Sequence, residues 1–269
     1  YEVVFGDWSS DVCSSDLYVL GDYNERDFLL KASHMTILGS KEKNLGIARV
    51  SISIRSDQPG WFYSHYRGNF FRWDRNLNKT NTLRTGFSYQ FRFLETGVEV
   101  NRVTAYVYLD TASQPRQLND EFAYMNLFLK TDLKFWRFRL ISHVVWQTVQ
   151  KTNVLRIPAF MGSASLLFTQ PLFRGAALLQ PGIDALYTTS YYANAYNPSI
   201  RSFYLQEQIE TGNYPYLDIF INLKIQRARF FVTYTHFNAG LSGRTYFTTP
   251  SYPMRDGAFK FGISWRFHD

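Results

Sequence analysis

The chain has little cysteine: one residue, Cys13, in 269. It can form no internal disulfide, and a lone thiol builds no metal cluster. Long hydrophobic runs are missing too. No stretch of about 18 apolar residues occurs, so no transmembrane helix is expected. Strands escape that exclusion, because a spanning strand needs only about 9–11 residues, half of which can be polar. The start, YEVVFGDW, lacks the basic and long apolar regions of a signal peptide, so the signal is expected to be removed or the N-terminus to be missing. Catalytic motifs are absent as well: no H-E-x-x-H, G-x-S-x-G or Gly-rich phosphate loop is found. His34, His65, His143, His236 and His268 show no metal-ligand spacing and are read as packing residues, with His236 at a rim. Glu207 and Glu210 are close in sequence but have no credible acid–base partner. These absences exclude an enzyme, a cofactor and a metal site.

Aromatic residues are abundant. They make up 18% of the chain, with Phe 24, Tyr 19 and Trp 6. Phe and Tyr favour strands, and Tyr and Trp suit a boundary between oil and water. The formal net charge is +7. A nucleic-acid partner is not expected, since there is no zinc finger, basic helix or compact RNA-binding motif. DWSSDVCSSDL, around Cys13, is Ser/Asp-rich and unlike its surroundings. It resembles translated sequencing-adapter sequence, so residues 1–17 are read as non-native or disordered.

The rest reads as a succession of strands with no convincing helix. Residues 27–38 and 45–55 pair around GSKEKN, a good turn. In LRTGFSYQFRF, Phe87, Tyr89, Phe91 and Phe93 face one way and Gly86, Ser88, Gln90 and Arg92 the other. Its partner is 97–109, with a phase change or bulge expected near Asn101. Residues 121–132 and 134–150 form the next pair, followed by strands at about 161–170 and 175–191 and a short one at 202–208. In YLDIFINLKI, Leu217, Ile219, Ile221, Leu223 and Ile225 oppose Asp218, Phe220, Asn222 and Lys224. Gln226–Arg227 makes a tight turn into a strand that puts Ala228, Phe230, Val232, Tyr234 and His236 on one face.

The last strand, AFKFGISWRFHD, alternates most cleanly. Phe259, Phe261, Ile263, Trp265 and Phe267 share a face, opposite Lys260, Gly262, Ser264 and Arg266. About eleven or twelve strands are expected, several far longer than the usual five or six residues. Tight turns alternate with loops such as 57–80, whose Trp61, Phe62, Tyr63, Phe70, Phe71 and Trp73 are expected to fold onto the rim or into the lumen. Long strands with one tight-turn end and one long-loop end describe an all-β, antiparallel transmembrane β-barrel. In that reading Phe259, Phe261, Ile263, Trp265 and Phe267 face lipid. Arg84, Arg92, Arg137, Arg139, Lys224, Arg229, Lys260 and Arg266 line a cationic lumen, where lining charges would set selectivity.

Several strings resemble the putative porin family of Bacteroidetes: RSFYLQEQIETGNYPYLDIFINLKIQRARFFVTYTHFNAG, YFTTPSYPM, AFKFGISWRFHD, FFRWDRNLNKTNTLRTG, VLRIPAF and SYYANAYNP. The resemblance spans roughly residues 25–269. It implies a C-terminal fragment of a longer outer-membrane barrel, with residues 18–269 as part of one barrel domain and an open gap between the first and last strands. It further implies a bacterial outer-membrane location and a passive diffusion channel for small hydrophilic solutes. Expected partners are the outer-membrane lipid and the barrel-insertion machinery, for which Phe267 resembles the terminal aromatic signal. The alternatives are a structural or complex-partner barrel and the barrel part of a TonB-dependent transporter.

Overall fold

The computed structural model describes residues 2–5, 8–19, 23–39, 44–241 and 246–265. Its backbone is one antiparallel meander. Thirteen strands follow each other in chain order, each bonded to the next. They are β1 (Glu2–Phe5), β2 (Trp8–Tyr18), β3 (Phe28–Gly39), β4 (Asn44–Asp57), β5 (Thr80–Phe91), β6 (Leu94–Thr104) and β7 (Phe122–Phe135). β8 (Phe138–Val149), β9 (Phe160–Phe168), β10 (Ala177–Thr188), β11 (Tyr216–Ile225), β12 (Ala228–Thr235) and β13 (Ala258–Trp265) complete the order. A short extra strand, Gln170–Leu172, pairs with β10.

The sheet is open: the expected gap between the first and last strands is present, and the expectation of a barrel is corrected, since no closed barrel forms. Among the described residues, β1 and β13 each have one neighbour, and they do not pair with each other. Alternation and strand length specify a two-faced sheet. Closure also requires strand number, tilt and register stagger to agree, and none of these is written in a residue pattern. The strand count rises from the expected eleven or twelve to thirteen. The additional pairing includes the DWSSDVCSSDL stretch, whose backbone runs in register with β3 from Ser10 opposite Thr36 to Tyr18 opposite Phe28.

Register keeps the two faces distinct across the sheet. His34, Val50, Phe87, Val98, Leu127, Trp146 and Phe160 stand side by side in one row. One residue along, Ser33, Ser51, Gly86, Glu99, Asn126 and Gln147 form the corresponding row on the other face. A slip of one residue in any strand would send its apolar set to the polar side. The phase change expected at Asn101 does not occur. Pairing continues without a shift to Thr104, and the chain departs at Ala105, whose φ is 55°.

One end of the sheet carries two-residue turns, Arg92–Phe93, Trp136–Arg137 and Gln226–Arg227. The first residue of each has a left-handed φ, as hairpin turns require. The other end carries the long connections, and the packed interior lies there. Trp73, Leu109 and Ile200 form its centre, with Phe62, Tyr63, Tyr66, Phe71 and Tyr204 packed around them. These side chains come from three separate loops. A one-turn helix, Trp61–Ser64, and short hairpins at 65–74, 107–117 and 195–204 shape the layer. Of the six aromatics expected to fold in from 57–80, Trp73 is buried and Phe62, Tyr63 and Phe71 are half-buried, while Trp61 and Phe70 are exposed. No helix among the described residues is long and apolar enough to cross a membrane.

Candidate functional site

Two regions carry polar chemistry: the polar face of the sheet and the loop layer. On the face, Arg84 stands opposite Asn101 and donates from Nε to its Oδ1 at 2.9 Å. Arg139 grips Asp132 through two parallel bonds, Nε to Oδ1 at 2.7 Å and a second nitrogen to Oδ2 at 2.6 Å. This bidentate fork is the geometry in which arginine outperforms lysine. Lys130 reaches Glu95 Oε1 at 3.2 Å. An open hollow of about 410 Å³ lies here, bordered by Arg49, Glu95, Glu99, Lys130 and His143. Both charge signs line it.

The other expected lining residues divide. Lys224 and Arg229 stand opposite each other on the polar face, and Lys260 lies there opposite Thr233. Arg92 and Arg137 are instead turn residues, lying over the rings of Phe91 and Trp136. Arg266 lies outside the described residues. On β13, Phe259, Phe261, Ile263 and Trp265 share the sheet's apolar face with Val232 and Phe230, and all four are exposed. Phe267 lies outside the described residues. The expected channel, the alternative barrel roles and the lipid, insertion-machinery and solute partners all require a closed barrel, which the strands described do not form. The open sheet overturns them together.

The polar face also carries aromatics that alternation does not explain. Phe128, Phe220 and Phe231 each stand directly opposite a glycine: Gly97, Gly182 and Gly262. A Cβ added at these glycines would lie 2.6, 2.3 and 2.4 Å from the facing phenyl ring. Each ring therefore covers its glycine, replacing the missing side-chain packing and shielding the backbone. This pairing device is known to compensate glycine in sheets.

In the loop layer, His236 is fully buried, not at an open rim. Its Nδ1 lies 2.5 Å from the Arg255 carbonyl oxygen, so the hydrogen sits on Nδ1. Nε2 lies 2.8 Å from the Tyr214 hydroxyl, and the His236 backbone N–H donates to Asp218 Oδ1 at 2.7 Å. Burial raises the Tyr214 hydroxyl above its ordinary pKa, with the nearby Tyr246 adding to the effect. The histidine thus fastens the start of 236–257 to the beginning of β11 and to Arg255 near the segment's other end. Glu207 and Glu210 are kept apart by separate partners, Arg156 and Ser190. Among the described residues, no group of three or more His, Cys, Asp or Glu could hold a metal.

At 107–117, Asp110 organises a hairpin tip. Its Oδ1 accepts from the backbone N–H groups of Ala112 and Gln114, and its Oδ2 accepts from Arg116 Nε at 2.9 Å. Burial alone would raise this carboxyl. The hydrogen bonds from Arg116 and the two amides outweigh it and leave the group below the usual carboxylate range. Sequence reading missed both: the His236 cluster depends on partners 18 to 22 residues away, whereas the Asp110 tip is local, and an aspartate accepting from the amide two residues on is a turn signal that could have found it.

Fold and site together define a two-faced antiparallel meander with a packed loop layer at one end. The chain belongs to the putative porin family, which it matches over residues 12–269. That family comprises non-catalytic transport proteins, and the chain is not an enzyme. The membership is consistent with an outer-membrane-associated protein. Comparison with curated proteins and with solved structures gives no match.

Proposed function

We propose that the loop layer is the working surface of this outer-membrane-associated protein and that it acts by recognition. The carrying observation is where the interior lies. Trp73, Leu109 and Ile200 hold three loops in one arrangement, whereas large apolar side chains along the sheet, such as Val50, Leu127, Trp146 and Phe261, are exposed. Side chains on a packed layer present ligand-contacting groups at fixed positions and lose less freedom on binding.

The same reading takes the chain to be the C-terminal part of a longer protein of the Bacteroidetes, located at the bacterial outer membrane. The resemblance of its strings and the unpaired outer edge of Ala258–Trp265 support that origin. Further strands or a partner would satisfy that edge.

A thermal-shift panel of anions, sugars and peptides tests the recognition role. Stabilisation by a panel member should disappear with Trp61→Ala, in the loop layer, and persist with Lys260→Gln, on the sheet. The reverse pattern would place recognition on the polar face and sink this reading.

A further inference from the structure

The hairpin 65–74 carries an arrangement that its own packing does not explain. Its strands pair His65 with Asp74, Tyr66 with Trp73, and Arg67 with Arg72. Period two then sorts the side chains. Tyr66 and Trp73 point inward, stacked at 4.8 Å and anchored in the loop core. Trp73 Nε1 donates to the Phe62 carbonyl at 2.9 Å, and the Tyr66 hydroxyl donates to the Ser199 carbonyl at 2.9 Å. The backbone is thereby held firmly.

The outward face presents His65, Asp74, Arg67 and Arg72. His65 and Asp74 satisfy each other, with Nδ1 2.8 Å from Oδ1. Arg67 and Arg72 stand directly opposite each other. Among the described residues, no acid or hydrogen-bond acceptor pairs with either guanidinium. Like charges directly opposite on paired strands are unfavourable, at about 4.5–5.5 Å between Cβ atoms. A hairpin anchored on its other face cannot separate them by moving its strands. Exposed Trp61 lies beside the same face, its ring 4.2 Å from that of His65. These groups border a cleft of about 640 Å³.

We propose that this cleft binds a sugar ring carrying a phosphate. Two adjacent guanidiniums match the oxygens of a phosphate, which also removes their mutual repulsion. The Trp61 face offers a flat apolar surface for the ring. Asp74, two residues along the strand from Arg72, accepts hydrogen bonds from sugar hydroxyls. A bare anion would leave Trp61 and Asp74 unused, and an uncharged sugar would leave the arginines unrelieved. The assignment rests on the loop layer being the recognition surface.

The test is calorimetric titration of the protein with glucose 6-phosphate, inorganic phosphate, glucose and a phosphorylated mannan. Glucose 6-phosphate should bind more tightly than phosphate, and glucose should not bind measurably. Arg67→Gln and Arg72→Gln should each weaken glucose 6-phosphate binding at least about tenfold, as expected for a lost charge-assisted hydrogen bond. Arg67→Lys keeps the charge but loses the fork and should recover only part of the affinity. Tighter binding of the mannan than of glucose 6-phosphate identifies a glycan chain as the source, and equal binding identifies a free sugar phosphate. Unchanged circular dichroism in the variants separates lost binding from lost folding. Absence of glucose 6-phosphate binding, or binding indifferent to both glutamine variants, overturns the proposal. If another panel ligand still requires Trp61, the recognition surface stands and only the phosphosugar assignment falls.

Discussion

Asn101 Oδ1 accepts the Arg84 Nε hydrogen at 2.9 Å while Asn101 itself is fully buried and its Nδ2 has no partner. The side chain is half satisfied: its acceptor is used and its donor is orphaned. Asn101→Asp replaces the orphaned donor with a second acceptor for Arg84 and should hold or raise stability. Asn101→Ala strips Arg84 of its partner and should cost about 1–3 kcal/mol. Urea unfolding followed by tryptophan fluorescence measures both. A cost for aspartate equal to that for alanine would mean that the Arg84 contact contributes nothing.

Gly182 and Phe220 should behave as one unit. Gly182→Ala forces its new Cβ against the Phe220 ring and near the Leu166 carbonyl, and overpacking of this kind costs about 1–3 kcal/mol. Phe220→Ala alone should also destabilise, by uncovering the glycine. The double variant should be less destabilised than the sum of the two singles. Additive costs in unfolding experiments would show that the ring does not cover the glycine.

Asp110 should make the 107–117 tip sensitive to acid. Its folded pKa lies below the ordinary carboxylate value, so its contribution is present above that ordinary value and is lost as pH falls through the lower, folded one. Amide exchange at Ala112 and Gln114, corrected for the intrinsic pH dependence, should therefore remain protected at mildly acidic pH and lose protection only below it. Asp110→Asn should weaken the tip by about 1 kcal/mol and flatten the dependence. The same acid response in the asparagine variant would assign the effect to another group.

The sequence by itself determined the strands and their faces. YLDIFINLKI is a strand over Tyr216–Ile225, Gln226–Arg227 is the turn, and the alternation of Ala258–Trp265 gives the faces that register pairing produces. These features are local, because period two and turn chemistry act over neighbouring residues. The tertiary structure decided what depends on distance. Closure into a barrel is a property of accumulated tilt and stagger, and here the sheet stays open, with the gap that the resemblance implies between its first and last strands. Phe128, Phe220 and Phe231 look like errors of alternation until the glycine opposite each is seen on the neighbouring strand. Arg92 and Arg137 continue a polar pattern in sequence, yet they fall in turns because the strands end one residue before Arg92 and two before Arg137. His236 extends the apolar face of its strand on paper. Burial against Tyr214, Asp218 and Arg255 instead makes it a fastening of the loop layer, through partners lying 18 to 22 residues away in the chain. Along the sequence, Arg67 and Arg72 are two charges five residues apart in the 57–80 loop. Only strand pairing puts them face to face, beside an exposed tryptophan and without an acid between them.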